Sequence, residues 1–392
     1  MTKKETLKWS LQILASIISA VLTALGTTSG MGYESPESKK KSLAQIEREI
    51  FCKSFGRFAK KLYLCSMKGI RTTIYRKSSE LPQLEEGNFF HSRKLFEILE
   101  KTPRQRPYMV VAEDEQGRIV SHMLAFLRFR TFIFPPFLLI HCRLLSEGVY
   151  AESEYPKEEL LGEMLGALIK SLGSRVLYIE VSNLSQKMLG YKQLRQLGFY
   201  PIHWMSVHNS LHSHAPEERI TEKMQKRIDN AHERGAKTEV VRTEEDLKAF
   251  SKLLRKHHIF KPKRYIPDDA FFRAFMAEEE SGKLFVTKYH GKVIGCSAVA
   301  YSQGNAYLWY SAFRRKTYHH LHPDIVTIWD AMKDAYERGY QHMCFMDVGL
   351  PFEKNSFRDF ILSFGGKEQS TYRWFRFTLK WVNKLLAWFY RE

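Results

Sequence analysis

Asp347 is the residue of this sequence best placed to do chemistry. It lies in Phe345-Met346-Asp347-Val348-Gly349, which reads as the end of a strand carrying a carboxylate and then a glycine. Side chains at such strand ends in open α/β sheets commonly face a ligand crevice. A carboxylate there can take the proton of an ammonium group or orient the amine that results. Glu180 stands 167 residues earlier, in the corresponding run Arg175 to Val181, and is a weaker, substrate-binding counterpart. Tyr310, between Trp309 and Ser311 on an alternating strand, can protonate a leaving group, although aromatics at that spacing more often fill a core. His320 belongs to the group His319, His320, His322 and Asp324, crowded around Pro323 without a distant fourth ligand. That arrangement fits a titratable helix entry better than a metal site, so no metal is expected and His320 is a second candidate base. Lys223 and Arg227, with Lys226 and Arg234, put positive charge along a polar helix, suited to a phosphate-bearing substrate or simply to water. Gly349 completes the substrate-binding candidates.

These residues need a scaffold, and the sequence supplies one twice. In the first unit a helix over Phe89 to Glu100 precedes strands Tyr108 to Glu113, Ile119 to Arg128 and Phe137 to Leu145. A helix opened by Pro156 and closed near Gly173 follows, then a strand to Val181, a short helix ending at Leu197-Gly198, and a closing strand Tyr200 to Asn209. The second unit repeats the order from Asp269 to Phe377. Gly117 and Gly291 are 174 residues apart, and Gly198 and Gly365 are 167 apart, so two copies of one fold are the economical explanation. Strands alternating with helices around a hairpin indicate an α/β (α+β) architecture, each unit a mixed, mainly antiparallel sheet flanked by helices. The boundaries expected are 1–42 for an apolar segment and linker, 43–214 for the first domain and 215–392 for the second. No G-x-G-x-x-G after a strand and no G-x-x-x-x-G-K-[ST] occurs, which disfavours a doubly wound nucleotide-binding fold.

The chain has 392 residues, 44% hydrophobic and 14% aromatic, enough for two cores. Its net charge of +18 favours nucleic acid, an anionic bilayer or phosphate-bearing substrates without choosing among them. Five scattered cysteines without a C-x-x-C pair argue against a disulfide framework or a zinc site. Trp9 to Leu25 is apolar and preceded by Lys3, Lys4 and Lys8, and it is read as an N-terminal apolar helix. It suits an uncleaved anchor with the folded domains on the cytoplasmic side, ahead of a signal peptide and then a start-site artefact. It also resembles the very small smalltalk-type proteins. At the other end, Lys380 to Arg391 mixes tryptophans, leucines and lysines in the manner of an interfacial helix or of one packed on the sheet.

The string Arg227, Ala231, Gly235 within a basic helix, then Phe345-Met346-Asp347-Val348-Gly349, Phe357-Arg358-Asp359-Phe360 and Phe364-Gly365-Gly366, resembles the second domain of Fem-like tandem GNAT proteins. The resemblance runs over roughly Thr221 to Phe377 and is architectural before that. It implies two tandem GNAT-like domains and transfer of an acyl group from a thioester, or of an amino acid from aminoacyl-tRNA, to an amine. Acyl-CoA or aminoacyl-tRNA is then the donor. The acceptor is a small-molecule or lipid-linked amine, and tRNA and a membrane surface are candidate partners. The pyrophosphate-cradling [QR]-x-x-G-x-[GA] of GNAT enzymes is missing from Ser153 to Leu161 and from Lys316 to Val326, which weighs against acyl-CoA. It also leaves open an inert, membrane-tethered binding module that has kept the fold. Membrane association is the expected location, with a cytoplasmic one as the alternative.

Overall fold

The computed structural model describes residues 69–132, 137–258, 265–346, 348–351 and 353–390. The segment expected at 1–42 with its apolar run Trp9 to Leu25, the opening residues of the domain expected at 43–214, and Asp347 itself lie outside the described residues. Among the described residues no helix is long and apolar enough to cross a membrane.

The first half runs β1 (Arg71–Tyr75), α1 (Arg93–Glu100), β2 (Gln105–Glu113), β3 (Ile119–Phe132), β4 (Phe137–Leu145), a short β5 (Val149–Tyr150), α2 (Lys157–Leu172), β6 (Tyr178–Ser182), α3 (Tyr191–Gln196) and β7 (Tyr200–Ser210). The second runs α4 (Glu222–Glu233), β8 (Lys237–Val240), α5 (Glu244–His258), α6 (Asp269–Met276), β9 (Gly282–Tyr289), β10 (Lys292–Ser302), β11 (Asn305–Phe313), α7 (Pro323–Glu337), β12 (His342–Phe345), α8 (Ser356–Leu362), β13 (Lys367–Phe377) and α9 (Lys380–Phe389). Most helix starts have a local cause. The Ser92 hydroxyl accepts from Leu95 N at α1, Thr221 from Met224 N at α4, and Asn355 from Phe357 N and Arg358 N at α8.

The strands form one mixed sheet in the order β1-β2-β3-β4-β6-β13-β7-β12-β11-β10-β9-β8, with β5 on β3. Each half makes an antiparallel meander followed by one parallel step, β4 to β6 and β11 to β12. The closing strands are exchanged. β13, the last strand of the chain, lies against β6 of the first half (Trp374↔Val181), while β7 lies against β12 of the second (Val207↔Phe345). β13 and β7 then pair with each other over nine residues, from Lys367↔His208 to Phe375↔Tyr200.

Because side chains alternate across a strand, the sheet divides its apolar residues between two faces. On one face lies a single core fed by both halves, joining α1 (Leu95, Phe96) to α5 (Phe250) and α6 (Phe271, Phe272, Phe275). Phe89 is at its centre, in ring contact with Phe90, Phe275 and Trp309. The other face carries two cores, one under α2 and α3 and one under α4, α7 and α8. Packing there is close. A Cβ on Gly295 of β10 would sit 2.0 Å from Thr327 Oγ1 of α7, so only glycine lets that helix lie on the sheet. The chain thus has a mixed α/β fold with one large sheet flanked by helices.

Candidate functional site

β11 and β12 run parallel from Asn305↔His342 to Leu308↔Phe345, and there the pairing stops although β11 continues to Phe313. Opposite this point β11 carries a bulge: Ala298 pairs with Tyr310 and Val299 with Leu308, so Trp309 is the extra residue. The bulge turns both Trp309 and Tyr310 toward the shared core, their rings stacked at 5.8 Å. The result is a notch between two parallel strands, to which β12 leads through Met346. In the first half β4 and β6 part in the same way after Leu145↔Ser182. A cleft at that end is lined by Asn88, Ser146, Asn183, Tyr307 and Met346.

The loop beyond β12 is held firmly. Gly349 has φ +88°, and a Cβ there would meet Asn355 Nδ2 at 2.4 Å. Asn355 donates that amide to Val348 O at 2.9 Å while capping α8. Arg358, buried, donates to Leu350 O and Glu353 O, each at 2.7 Å, and its Nε lies 3.2 Å from Glu368. The Phe357-Arg358-Asp359-Phe360 motif is therefore a clamp on the chain that follows Asp347, and Gly349 has a backbone reason to be glycine.

Next to the notch, on the shared-core face, lies a group of arginines. Arg128 of β3 is opposite His141 of β4, and Arg143 of β4 is opposite Glu180 of β6. Glu180 is buried, with Arg143 Nη2 at 3.6 Å and Arg373 Nη1 of β13 at 3.5 Å. Arg373 also stacks 3.9 Å above the Trp204 ring and donates to Met346 O at 3.2 Å, which ties this floor to the residue preceding Asp347. Arg128 is 4% exposed and lies 4.9 Å from the ring centres of both Phe126 and Tyr265. His141 stacks on Tyr178 at 5.1 Å. Burial first, then Arg128, Arg143 and Arg130, hold its imidazole well below the usual range and therefore neutral. None of these arginines stands out in the sequence, because they sit at alternate positions of three separate strands.

The sequence candidates fall into separate groups. Tyr310 is 3% exposed, edge-on to Phe272, at the notch. Glu180 lies inside β6, among the arginines. His320 is exposed in a single helical turn, and its carbonyl accepts from Arg234 Nη1 at 3.4 Å. That turn leads into α7 beside the basic face of α4, whose Arg227 and Arg234 help to lower the pKa of His322, after burial. Lys223 is exposed on the same helix, and Arg227 half-buried. Asp324, in the first turn of α7, is buried and paired with Arg315 Nε at 2.8 Å, so it is committed away from its histidine neighbours. Among the described residues no group of His, Cys, Asp or Glu is arranged to hold a metal ion. Cys142 and Cys296 are buried free thiols whose pKa burial pushes up.

Sequence reasoning also passed over His91. It is fully buried, its Nδ1 accepts from Leu124 N at 2.8 Å, and its Nε2 is 2.9 Å from Ser146 Oγ. An acceptor at Nδ1 fixes the proton on Nε2, so His91 donates to the serine. Ser146 is further held by Asn88 Nδ2 at 3.0 Å.

Residues 219–354 match the family model of the acetyltransferase (GNAT) domain. The structure is similar to that of FemX, with a TM-score of 0.52 at 14% identity, covering 79% of this chain and 96% of that one. The C-terminal domain of a putative lysylphosphatidylglycerol synthetase from Agrobacterium fabrum gives 0.51 at 12% identity, over 76% of this chain and 91% of the other. L-PGS from Bacillus licheniformis gives 0.51 at 11%, over 79% and 100%. At these identities the likeness is one of fold. No curated protein matches the sequence significantly.

Proposed function

We propose, from the premise that the chain is a GNAT acyltransferase of Fem-like fold, that it transfers an aminoacyl group from charged tRNA to the amine of a lipid-linked or cell-envelope acceptor. The observation that carries the reading is the notch where β11 and β12 part, inside the segment that matches the family. Amine attack on an activated carbonyl needs a base, donors for the developing oxyanion and an acid. Asp347 is the base, and the clamp of Asn355 and Arg358 fixes the chain just beyond it. Tyr310, at the bulge, is the candidate acid.

The start of α7 supports tRNA over acyl-CoA. A pyrophosphate is favoured at a helix N-terminus by free N–H groups and the helix dipole. Here that first turn already carries the buried Asp324 carboxylate, and α2 opens on Glu158 and Glu159. The arginines of α4 alongside suit an extended polyanion instead. With purified chain, transfer from aminoacyl-tRNA is expected, and millimolar CoA is expected to leave the melting temperature unchanged. A CoA-induced rise would replace this donor assignment. Asp347→Asn should slow transfer by ~100-fold or more at nearly wild-type melting temperature; an equal rate in the variant would remove Asp347 from the mechanism.

The location we propose is a membrane surface on the cytoplasmic side. In α9, Trp381, Trp388 and Phe389 are 45%, 56% and 57% exposed, alongside exposed Lys380 and Lys384. Tryptophan and lysine on one side of a short helix suit a headgroup layer. The chain is expected to float with phosphatidylglycerol-containing vesicles. Trp381→Ser/Trp388→Ser should reduce the bound fraction several-fold, and unchanged flotation of that variant would exclude α9 as the contact.

A further inference from the structure

A second pocket lies in the first half, between the start of β3 and the loop that leads into α1. Its walls are Val120, Val149 and Ala151, its floor holds Ser121 and His122, and Glu85 stands at its mouth. Both polar side chains of the floor are 1% exposed, whereas Glu85 is exposed. What these groups offer a visitor is uniform. The Ser121 hydroxyl gives its proton to Val149 O at 2.8 Å, so its oxygen is left to accept. The His122 ring directs an N–H at the carbonyl of His91, and its buried Nε2 has no hydrogen-bond partner among the described residues. The proton therefore sits on Nδ1, and Nε2 keeps a bare lone pair. Burial lowers the pKa of this imidazole to about 4, so the ring is neutral at pH 7.

No lysine or arginine among the described residues lines the pocket. Arg118, just before β3, is committed to Asp114 at 2.8 Å. A buried acceptor without a donor is costly, and native proteins seldom keep one unless water or a ligand fills the place. Water can supply the donor. The apolar walls and the carboxylate together match a different solute better, a cation on an alkyl chain.

We infer that this pocket binds a small primary alkylamine in its ammonium form. One ammonium N–H donates to His122 Nε2, the chain lies against Val120, Val149 and Ala151, and Glu85 balances the charge. A carboxylate at the mouth weighs against an amine that also bears phosphate, so the occupant is a free amine. The site stands apart from the acyl-transfer reading and does not rest on it. It is nevertheless joined to the cleft of the first half, because His91, which receives the His122 N–H, donates from its own Nε2 to Ser146.

The test is a titration of the full chain at pH 7 and constant ionic strength, read by thermal shift and by the nitrogen-15 signals of the histidine rings. Butylammonium is the probe, and tetramethylammonium, which carries the charge without an N–H, is the control. Butylammonium is expected to raise the melting temperature and to move the His122 Nε2 signal, identified by its loss in His122→Leu; tetramethylammonium should do neither. His122→Leu should weaken binding about 10-fold or more. Glu85→Gln, at an exposed position where folding is not at stake, should weaken it about three-fold. A pocket that holds water alone predicts no response to butylammonium. That result, an equal response to tetramethylammonium, an unmoved His122 signal at saturation, or undiminished binding by Glu85→Gln would overturn the inference. Tighter binding of glycerophosphoethanolamine than of butylammonium would overturn the assignment to a free amine. No readout depends on acyl transfer, so failure of the proposed reaction would leave the pocket standing.

Discussion

Between pH 7 and pH 5 the folded protein is expected to lose roughly 6 kcal/mol of stability, enough to approach unfolding, since domains are stable by only about 5–15 kcal/mol. The cause is three buried imidazoles. Burial, with His122 close by, lowers the pKa of His91 to about 3. Burial lowers that of His122 to about 4 and drives that of His141 well below the ordinary value of 6.5. Each group binds a proton in the unfolded chain below pH 6.5 and refuses it in the native state until much lower pH. Unfolding therefore takes up protons throughout that window, and stability falls as the solution is acidified. At pH 5 each histidine contributes about 2 kcal/mol to the loss. Denaturant titrations at pH 7, 6 and 5 measure it, and His122→Gln should remove about a third of the slope. A stability flat over this range would mean that the three rings take up protons in the fold as readily as in the unfolded chain. His91 has a particular stake: a proton on its Nδ1 would displace the Leu124 N–H that it now accepts.

Phe89→Ala is the second large effect. Phe89 is buried where the halves meet, in contact with Phe275 and Trp309 of the second half, and its N–H donates to Ser302 Oγ at 3.0 Å. Truncating a buried phenylalanine costs about 3–5 kcal/mol in lost burial and residual cavity. The more telling result is the form of the transition. Because the core around Phe89 draws on β2, β3, β10 and β11 alike, both halves should lose structure together. Tryptophan fluorescence and far-ultraviolet circular dichroism are expected to give coincident curves with a lowered midpoint. Two separated transitions would show that the halves hold together independently.

Much of the fold can be read along the chain because its causes are local. Pro156 and Gly173 bracket α2, and the alternating strand read around Trp309, Tyr310 and Ser311 is β11. Misplaced ends have local causes too: the strand whose end the sequence places at Asp347 closes at Phe345, because the left-handed Gly349 and its Asn355 clamp take the chain out of the sheet. The exchange of β7 and β13 is different in kind. Trp374↔Val181 joins residues nearly two hundred positions apart, and the apolar pattern of β13 would serve equally well beside β12. The site divides likewise. Tyr310 and Glu180 could be picked out by type and position, whereas Arg128, Arg143 and Arg373 acquire meaning only once β3, β4, β6 and β13 lie side by side.

The exchanged strands also bear on biosynthesis. As the polypeptide leaves the ribosome, the amino-terminal sheet lacks its neighbour beyond β6 until Lys367–Phe377 has emerged, 185 residues after Ser182. Nascent β6 therefore waits with an open edge while that length of chain is made, an exposure of the kind that chaperones shield.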